Sequence, residues 1–225
     1  MRTAFVLPIL LLCTLGRPVP AQEVSGTPGP RRLLPRDHEI ALARSAAPAS
    51  VSATARIWYF DHGRYIIADS GTGSAQCYVG RGWPLALEPH CFDEEGARTI
   101  LPIEMRTSEL LHAGASRDSV QRAIAAGIAS GAFRLPQRPA MTWMLSAAQD
   151  LYDDEGKAAG AWRPHVMIYY PYLTATGVAT GGNQDLAAGI VVSPGTPMSN
   201  IMIVVPGAVT PAPADSTRTD RRRGR

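Results

Sequence analysis

Apolar and polar positions alternate with two different periods along this chain, and the changes of period mark its elements. Residues 55–60 (ARIWYF) and 64–69 (RYIIAD) are β-branched and aromatic runs flanking Asp61-His62-Gly63, where Gly63 suits a left-handed turn position, so they predict a β-hairpin. A second glycine turn, Ser70-Gly71-Thr72-Gly73-Ser74, leads to a third strand over 75–79, giving three antiparallel strands in succession. Before them, Asp37 is placed to cap a short helix through Arg44, with Ile40, Ala41 and Arg44 at helical spacing and Pro48 as its stop.

Residues 80–102 show no period and read as irregular. Helical spacing returns over 103–113 and stops at Gly114. It restarts after Ser116, an N-cap with Asp118 in the first turn, where Val120, Ile124 and Ile128 mark one apolar face of a helix ending near Gly131. Strands follow over 141–145 (MTWML) and 165–170 (HVMIYY), separated by a polar insertion with Asp150, Asp153, Asp154 and Glu155. A Gly/Thr-rich loop over 173–182 precedes two terminal strands, 189–192 and 200–205. This order predicts a single α+β domain over 37–205, mainly antiparallel, with helices mostly on one face. A PAS-like or profilin-like arrangement would suit it by analogy.

The ends of the chain read differently. Arg2, an apolar run from Ala4 to Leu15 and the small-residue pattern Val19-Pro20-Ala21 predict a secretory signal peptide over 1–21. Its apolar run falls short of the roughly 20 residues that span a bilayer, so the mature chain is expected to be exported, periplasmic or extracellular, with no transmembrane segment. Residues 22–36 are Pro-, Gly- and Arg-rich and read as a flexible leader; residues 206–225 read as a disordered tail in which Arg218, Arg221, Arg222, Arg223 and Arg225 cluster. That clustering changes the meaning of the formal charge of +3, because residues 22–211 carry 15 basic against 17 acidic side chains. A basic footprint on the folded surface is missing, and nucleic acid is not an expected partner.

Of the three cysteines, Cys13 belongs to the signal, which leaves Cys77 and Cys91 as an even pair in an oxidising compartment. A disulfide is expected, and a loop of this length would stabilise by about 3 kcal/mol.

Catalytic signatures are scarce. No G-x-S-x-G occurs, Lys157 as the sole lysine leaves no S-x-x-K, and His38-Glu39 is followed by Leu42 where a zinc-protease helix needs its second histidine. The glycines at 71 and 73 precede a strand rather than a helix, so they form a turn and not a phosphate loop. The richest polar constellation is His90-Cys91-Phe92-Asp93-Glu94-Glu95 with His165. His90, Asp93 and His165 carry donor types that suit a metal, with Glu94 as a general base through metal-bound water. An acidic loop beside the disulfide explains the same residues without a metal. Strand alternation adds a second constellation: if 141–145 pairs with 165–170, then His165, Met167 and Met144 share a face, and thioether with imidazole is a donor set for copper. Trp143, Tyr169 and Tyr170 are candidates for lining a small-ligand pocket.

Several segments, ³⁹EIALARSAAP⁴⁸, the Cys77 strand, ⁹⁷ARTILP¹⁰², ¹⁴¹MTWMLS¹⁴⁶ and ¹⁶⁴PHVM¹⁶⁷, resemble those of a group of uncharacterised exported bacterial proteins, in blocks spread over about residues 38–205. The likeness implies export and a single domain and carries over no catalytic residue. The aromatic strand face and the missing catalytic signatures lead to the expectation of a non-enzymatic domain binding a small molecule or an exported protein partner, with a metal-dependent hydrolase using His90, Asp93 and His165 as the alternative.

Overall fold

The computed structural model describes residues 33–82, 86–149, 151–152, 158–160, 163–174 and 189–207. The signal peptide, most of the leader, much of the acidic insertion, most of the 173–182 loop and all but the first two residues of the Arg-rich tail lie outside these. The element order is α1 (Arg36–Arg44), α2 (Ala49–Ser52), β1 (Arg56–Asp61), β2 (Arg64–Asp69), β3 (Gln76–Gly80), β4 (Glu88–Phe92), α3 (Glu94–His112), α4 (Arg117–Ala129), β5 (Ala140–Met144), β6 (Leu151–Tyr152), β7 (Ala158–Gly160), β8 (His165–Tyr169), β9 (Ile190–Val192) and β10 (Asn200–Val204). Eight strands form one sheet in the order β2-β1-β3-β4-β5-β8-β10-β9, and β6 pairs with β7 separately. The fold is α+β.

The β1–β2 hairpin closes through His62 and Gly63, both at positive φ (45° and 88°), the two-residue turn whose twist matches that of its strands. The next connection departs from expectation, because β3 pairs with β1 in parallel, Arg56 opposite Gln76 and Ile57 opposite Cys77. β2 ends beside the start of β1, and the glycine turn crosses that entry: the Thr72 and Gly73 amides donate to the Thr54 carbonyl at 2.9 and 2.8 Å. β3 therefore starts from the same end as β1. Gly71 makes the crossing feasible, since at φ 61° a Cβ there would lie 2.5 Å from the Ala55 backbone.

Period-2 alternation gives the sheet two apolar faces. Ile57, Cys77, Val79 and Cys91 pack with Leu42, Ala43, Ala46 and Ala47 of α1 and the turn after it. On the opposite face, Phe60, Tyr78, Phe92, Met144, Met167 and Tyr169 form a second core with Ala97, Ile100 and Leu101 of α3. Helices thus cover both faces: α1 packs on β1, β3 and β4 on one side, α3 on β2 to β5 on the other, with α4 against α3. α1 is not capped by Asp37. Pro35 occupies the N-cap position, Asp37 lies in the first turn, and Leu34, inside the expected leader, is buried in the α1 core.

The segment read as irregular holds β4 and the first half of α3. Pro89 hides the strand, but β5 pairs only with Cys91 and Phe92, so the proline lies beyond that ladder. Pro102 hides the helix. An interior proline costs on the order of 3 kcal/mol, and here it faces solvent while Thr99, Ile100, Leu101 and Ile103 around it are buried.

Cys77 and Cys91 sit directly opposite each other on β3 and β4 and are disulfide-bonded, with both residues fully buried. Replacing both by alanine is expected to lower the stability measured by urea unfolding by about 3 kcal/mol, from lost restraint on the unfolded chain. A loss below about 1 kcal/mol would mean that the strand pair restrains that chain without the bond.

Candidate functional site

β4 leads straight into α3, and this decides the fate of the acidic cluster. Asp93 is the N-cap of α3, its Oδ1 accepting from the Gly96 amide at 2.7 Å, and Glu94 is exposed in the first turn. His90 and His165 instead lie in the layer beneath α3. Among the described residues no group of three or more His, Cys, Asp or Glu side chains could hold a metal ion, so the set His90, Asp93 and His165 with Glu94 does not assemble. Its carboxylates serve the helix start, where anionic groups are favoured.

What does assemble is the strand-alternation set. β5 and β8 pair antiparallel, with Met144 opposite His165 and Thr142 opposite Met167. His165, Met167 and Tyr169 are buried while Val166 and Ile168 are only half-buried, so His165, Met167 and Met144 share the α3 side of the sheet. His165 Nδ1 lies 2.6 Å from the Arg163 carbonyl, which places the ring proton on Nδ1. His90 joins this face. It is opposite Tyr78 in the β3–β4 ladder, its ring centroid 5.3 Å from that of Tyr78 and 5.8 Å from that of Phe92. Both of its ring nitrogens are buried without a hydrogen-bond partner, as is Thr142 Oγ1. Burial, with His165 nearby, pushes the His90 pKa down to about 3, and burial also lowers that of His165. From α3, Glu104 is pushed up to about 7 by burial and by Glu88, and its charge reaches Tyr78 and Tyr169.

The aromatic candidates are dispersed. Trp143 packs against the α1 core, Tyr169 is buried in the α3 core, and Tyr170 is 56% exposed. Alternation in β5 and β8 sends them to different faces, so the three do not line one pocket.

A site that sequence reasoning missed lies at the outer edge of α3. A cleft of about 1030 Å³ runs between α3 and residues 131–138, lined by Arg98, Arg134 and Arg138 with Pro102, Phe133 and Leu135 among its apolar walls. Local structure fixes the 131–138 wall. Gly131 reverses the chain after α4 at φ 76°, the Phe133 amide donates to the Gly127 carbonyl at 3.0 Å, and the Phe133 ring lies where any Gly127 Cβ would stand. Glu95 then ties the wall to α3. Its Oε1 accepts from the Gln137 amide at 3.0 Å, and its Oε2 from Arg138 Nε at 3.1 Å and from Arg98. The Gln137 amide, with the two arginines, holds the Glu95 carboxyl below its usual range. The Glu95 side chain is 3% exposed, whereas those of Arg98 and Arg138 are 59% and 60% exposed. Each guanidinium has five N–H donors, and only part of that capacity is spent on the carboxylate behind it. A smaller recess of about 310 Å³ adjoins, where Tyr170 and Tyr172 face Leu135, Gln137 and Arg138. The arrangement presents oriented cationic donors beside apolar walls, a combination that suits an organic anion.

Compared with known proteins, the chain matches no family model, no curated sequence and no solved structure.

Proposed function

We propose that this is an exported, non-enzymatic domain that binds a small organic anion in the cleft between α3 and residues 131–138. The observation that carries the reading is the Glu95 clamp: a buried carboxylate holds Arg98 and Arg138 in place and leaves their outer edges to solvent. Three arginines against one carboxylate make the cleft cationic, and Phe133, Leu135 and Pro102 offer an apolar surface to the body of the ligand. Pre-set guanidiniums bind carboxylate or phosphate with little further ordering, which is where affinity is otherwise lost. The Cys77–Cys91 bond fits an oxidising compartment, and no helix among the described residues is long and apolar enough to cross a membrane.

Thermal unfolding of the purified chain against aromatic and aliphatic carboxylates and phosphates, each beside its neutral counterpart, tests this. An anion present at 100 times its Kd is expected to stabilise by about 2.7 kcal/mol. Arg134→Gln and Arg138→Gln should each weaken binding about tenfold or more, the scale of one lost charge-assisted hydrogen bond. Equal stabilisation by the neutral counterparts, or unchanged binding in both variants, would contradict the proposal.

A further inference from the structure

We propose that His90, Met144, His165 and Met167 form a binding site for one soft monovalent metal ion, copper(I), between the sheet and α3. The site is separate from the arginine cleft and does not depend on it. The β4–β5 ladder ends at the pair Cys91–Trp143, and His90 and Met144 are the next residues beyond that pair on their two strands. The β5–β8 ladder sets Met144 opposite His165. Two imidazoles therefore flank a thioether in a single row across three adjacent strands, all on the α3 side. Neighbouring strands lie about 4.8 Å apart, so the outer backbones of the row are roughly 10 Å apart. One ion held at metal–nitrogen distances near 2 Å requires both imidazoles to lean in over Met144. Met167, one alternation along β8 from His165, brings a second sulfur to the same face.

The second observation is that His90 is unsatisfied as it stands. His90 is 6% exposed, yet neither of its ring nitrogens has a hydrogen-bond partner. A buried imidazole without a hydrogen-bond partner leaves two polar atoms without compensation, and a metal–nitrogen bond supplies it to one of them. The Arg163 carbonyl fixes the Nδ1–H tautomer of His165, which puts the lone pair on Nε2, the arrangement found in metal-bound histidines. Neutral imidazole with thioether, and no carboxylate or thiolate in the set, selects copper(I) over zinc(II) or a hard cation. The single disulfide removes both described cysteines from competition.

The test is anaerobic titration of the purified full chain with copper(I) against a chromophoric copper(I) chelator, followed by X-ray absorption at the copper edge. The expected result is one copper(I) per chain with both sulfur and imidazole scatterers. The double variant Met144→Leu/Met167→Leu keeps core volume, which favours a folded protein, and removes both sulfurs. Its copper(I) affinity should fall by more than about 100-fold, beyond what losing a supporting group costs. His90→Phe should do the same, and near-UV circular dichroism reports whether each variant is folded. No copper(I) retained against the chelator, a nitrogen-only or oxygen-only coordination sphere, equal affinity in the folded methionine variant, or preferential retention of zinc(II) would each overturn the assignment.

Discussion

Arg81→Met is expected to destabilise the protein by about 3–5 kcal/mol, the cost of leaving a buried charge without its partner. Arg81 and Glu39 are both fully buried, and Arg81 Nη2 lies 2.6 Å from Glu39 Oε2. The pair is held from several directions. Arg81 Nη1 donates to the Val79 carbonyl at 2.8 Å, its backbone amide donates to Ser108 Oγ at 3.0 Å, and its guanidinium lies 4.6 Å from the Phe60 ring centre. Glu39 Oε1 accepts from the Phe60 amide at 3.0 Å. One ion pair thus joins α1, the end of the sheet and α3. Burial raises the Glu39 pKa against the opposing pull of Arg81, so the carboxylate depends on that guanidinium to remain charged. A domain has only about 5–15 kcal/mol of stability in all, and the urea midpoint of Arg81→Met should fall accordingly. Arg81→Met/Glu39→Leu should recover much of the loss, because an apolar pair carries no desolvation penalty. A single-variant loss below about 1 kcal/mol would mean that the pair is solvated in solution.

The second large effect concerns pH in the metal-free protein. His90 in the fold has its pKa lowered from 6.5 to about 3. Below pH 6.5 the unfolded chain takes up a proton that the folded ring refuses, so this histidine removes stability as pH falls, at about 1.4 kcal/mol per unit down to pH 3. Glu104 acts with the opposite sign. Its pKa is raised from 4.5 to about 7, so its contribution is fully present below pH 4.5 and is lost as pH rises to 7. Between pH 7 and 4.5 the two largely cancel, and below 4.5 the histidine acts alone. His90→Phe keeps the ring between Tyr78 and Phe92 and deletes the titration. The stability of His90→Phe relative to the parent should rise steadily from pH 6.5 towards pH 3, by up to about 4–5 kcal/mol. Urea unfolding at stepped pH measures this difference directly, with other carboxylates common to both proteins. A difference that does not change with pH would show that His90 takes up its proton in the folded state.

Much of the frame was legible in the chain. β1, β2, β5, β8 and β10 declare themselves as short apolar, β-branched and aromatic runs, the helical hairpin by Ser116 and Gly114, and the disulfide by an even pair of cysteines. What stayed hidden has physical reasons. Pro89 and Pro102 mask β4 and the interior of α3, because each is tolerated only through tertiary packing that no local window contains. The parallel pairing of β3 with β1 is invisible because a glycine turn looks the same whichever side of the hairpin the chain takes. Histidine and methionine on the β5–β8 face could be read from alternation, but the arrival of His90 beside them needed the unseen strand. The Glu95 clamp joins residues 42 and 43 positions apart and has no local signature.

The most direct measurement of the functional account is a ¹H–¹⁵N NMR titration of the chain with benzoate, which joins one carboxylate to an aromatic body, alongside benzyl alcohol as its neutral counterpart. Anion binding in the cleft predicts saturable shifts confined to Glu95–Thr99, Pro102's neighbours and residues 131–138, including the Arg98, Arg134 and Arg138 Nε–H signals, with benzoate alone. Absence of saturable shifts in this region, or the same shifts with benzyl alcohol, would contradict it.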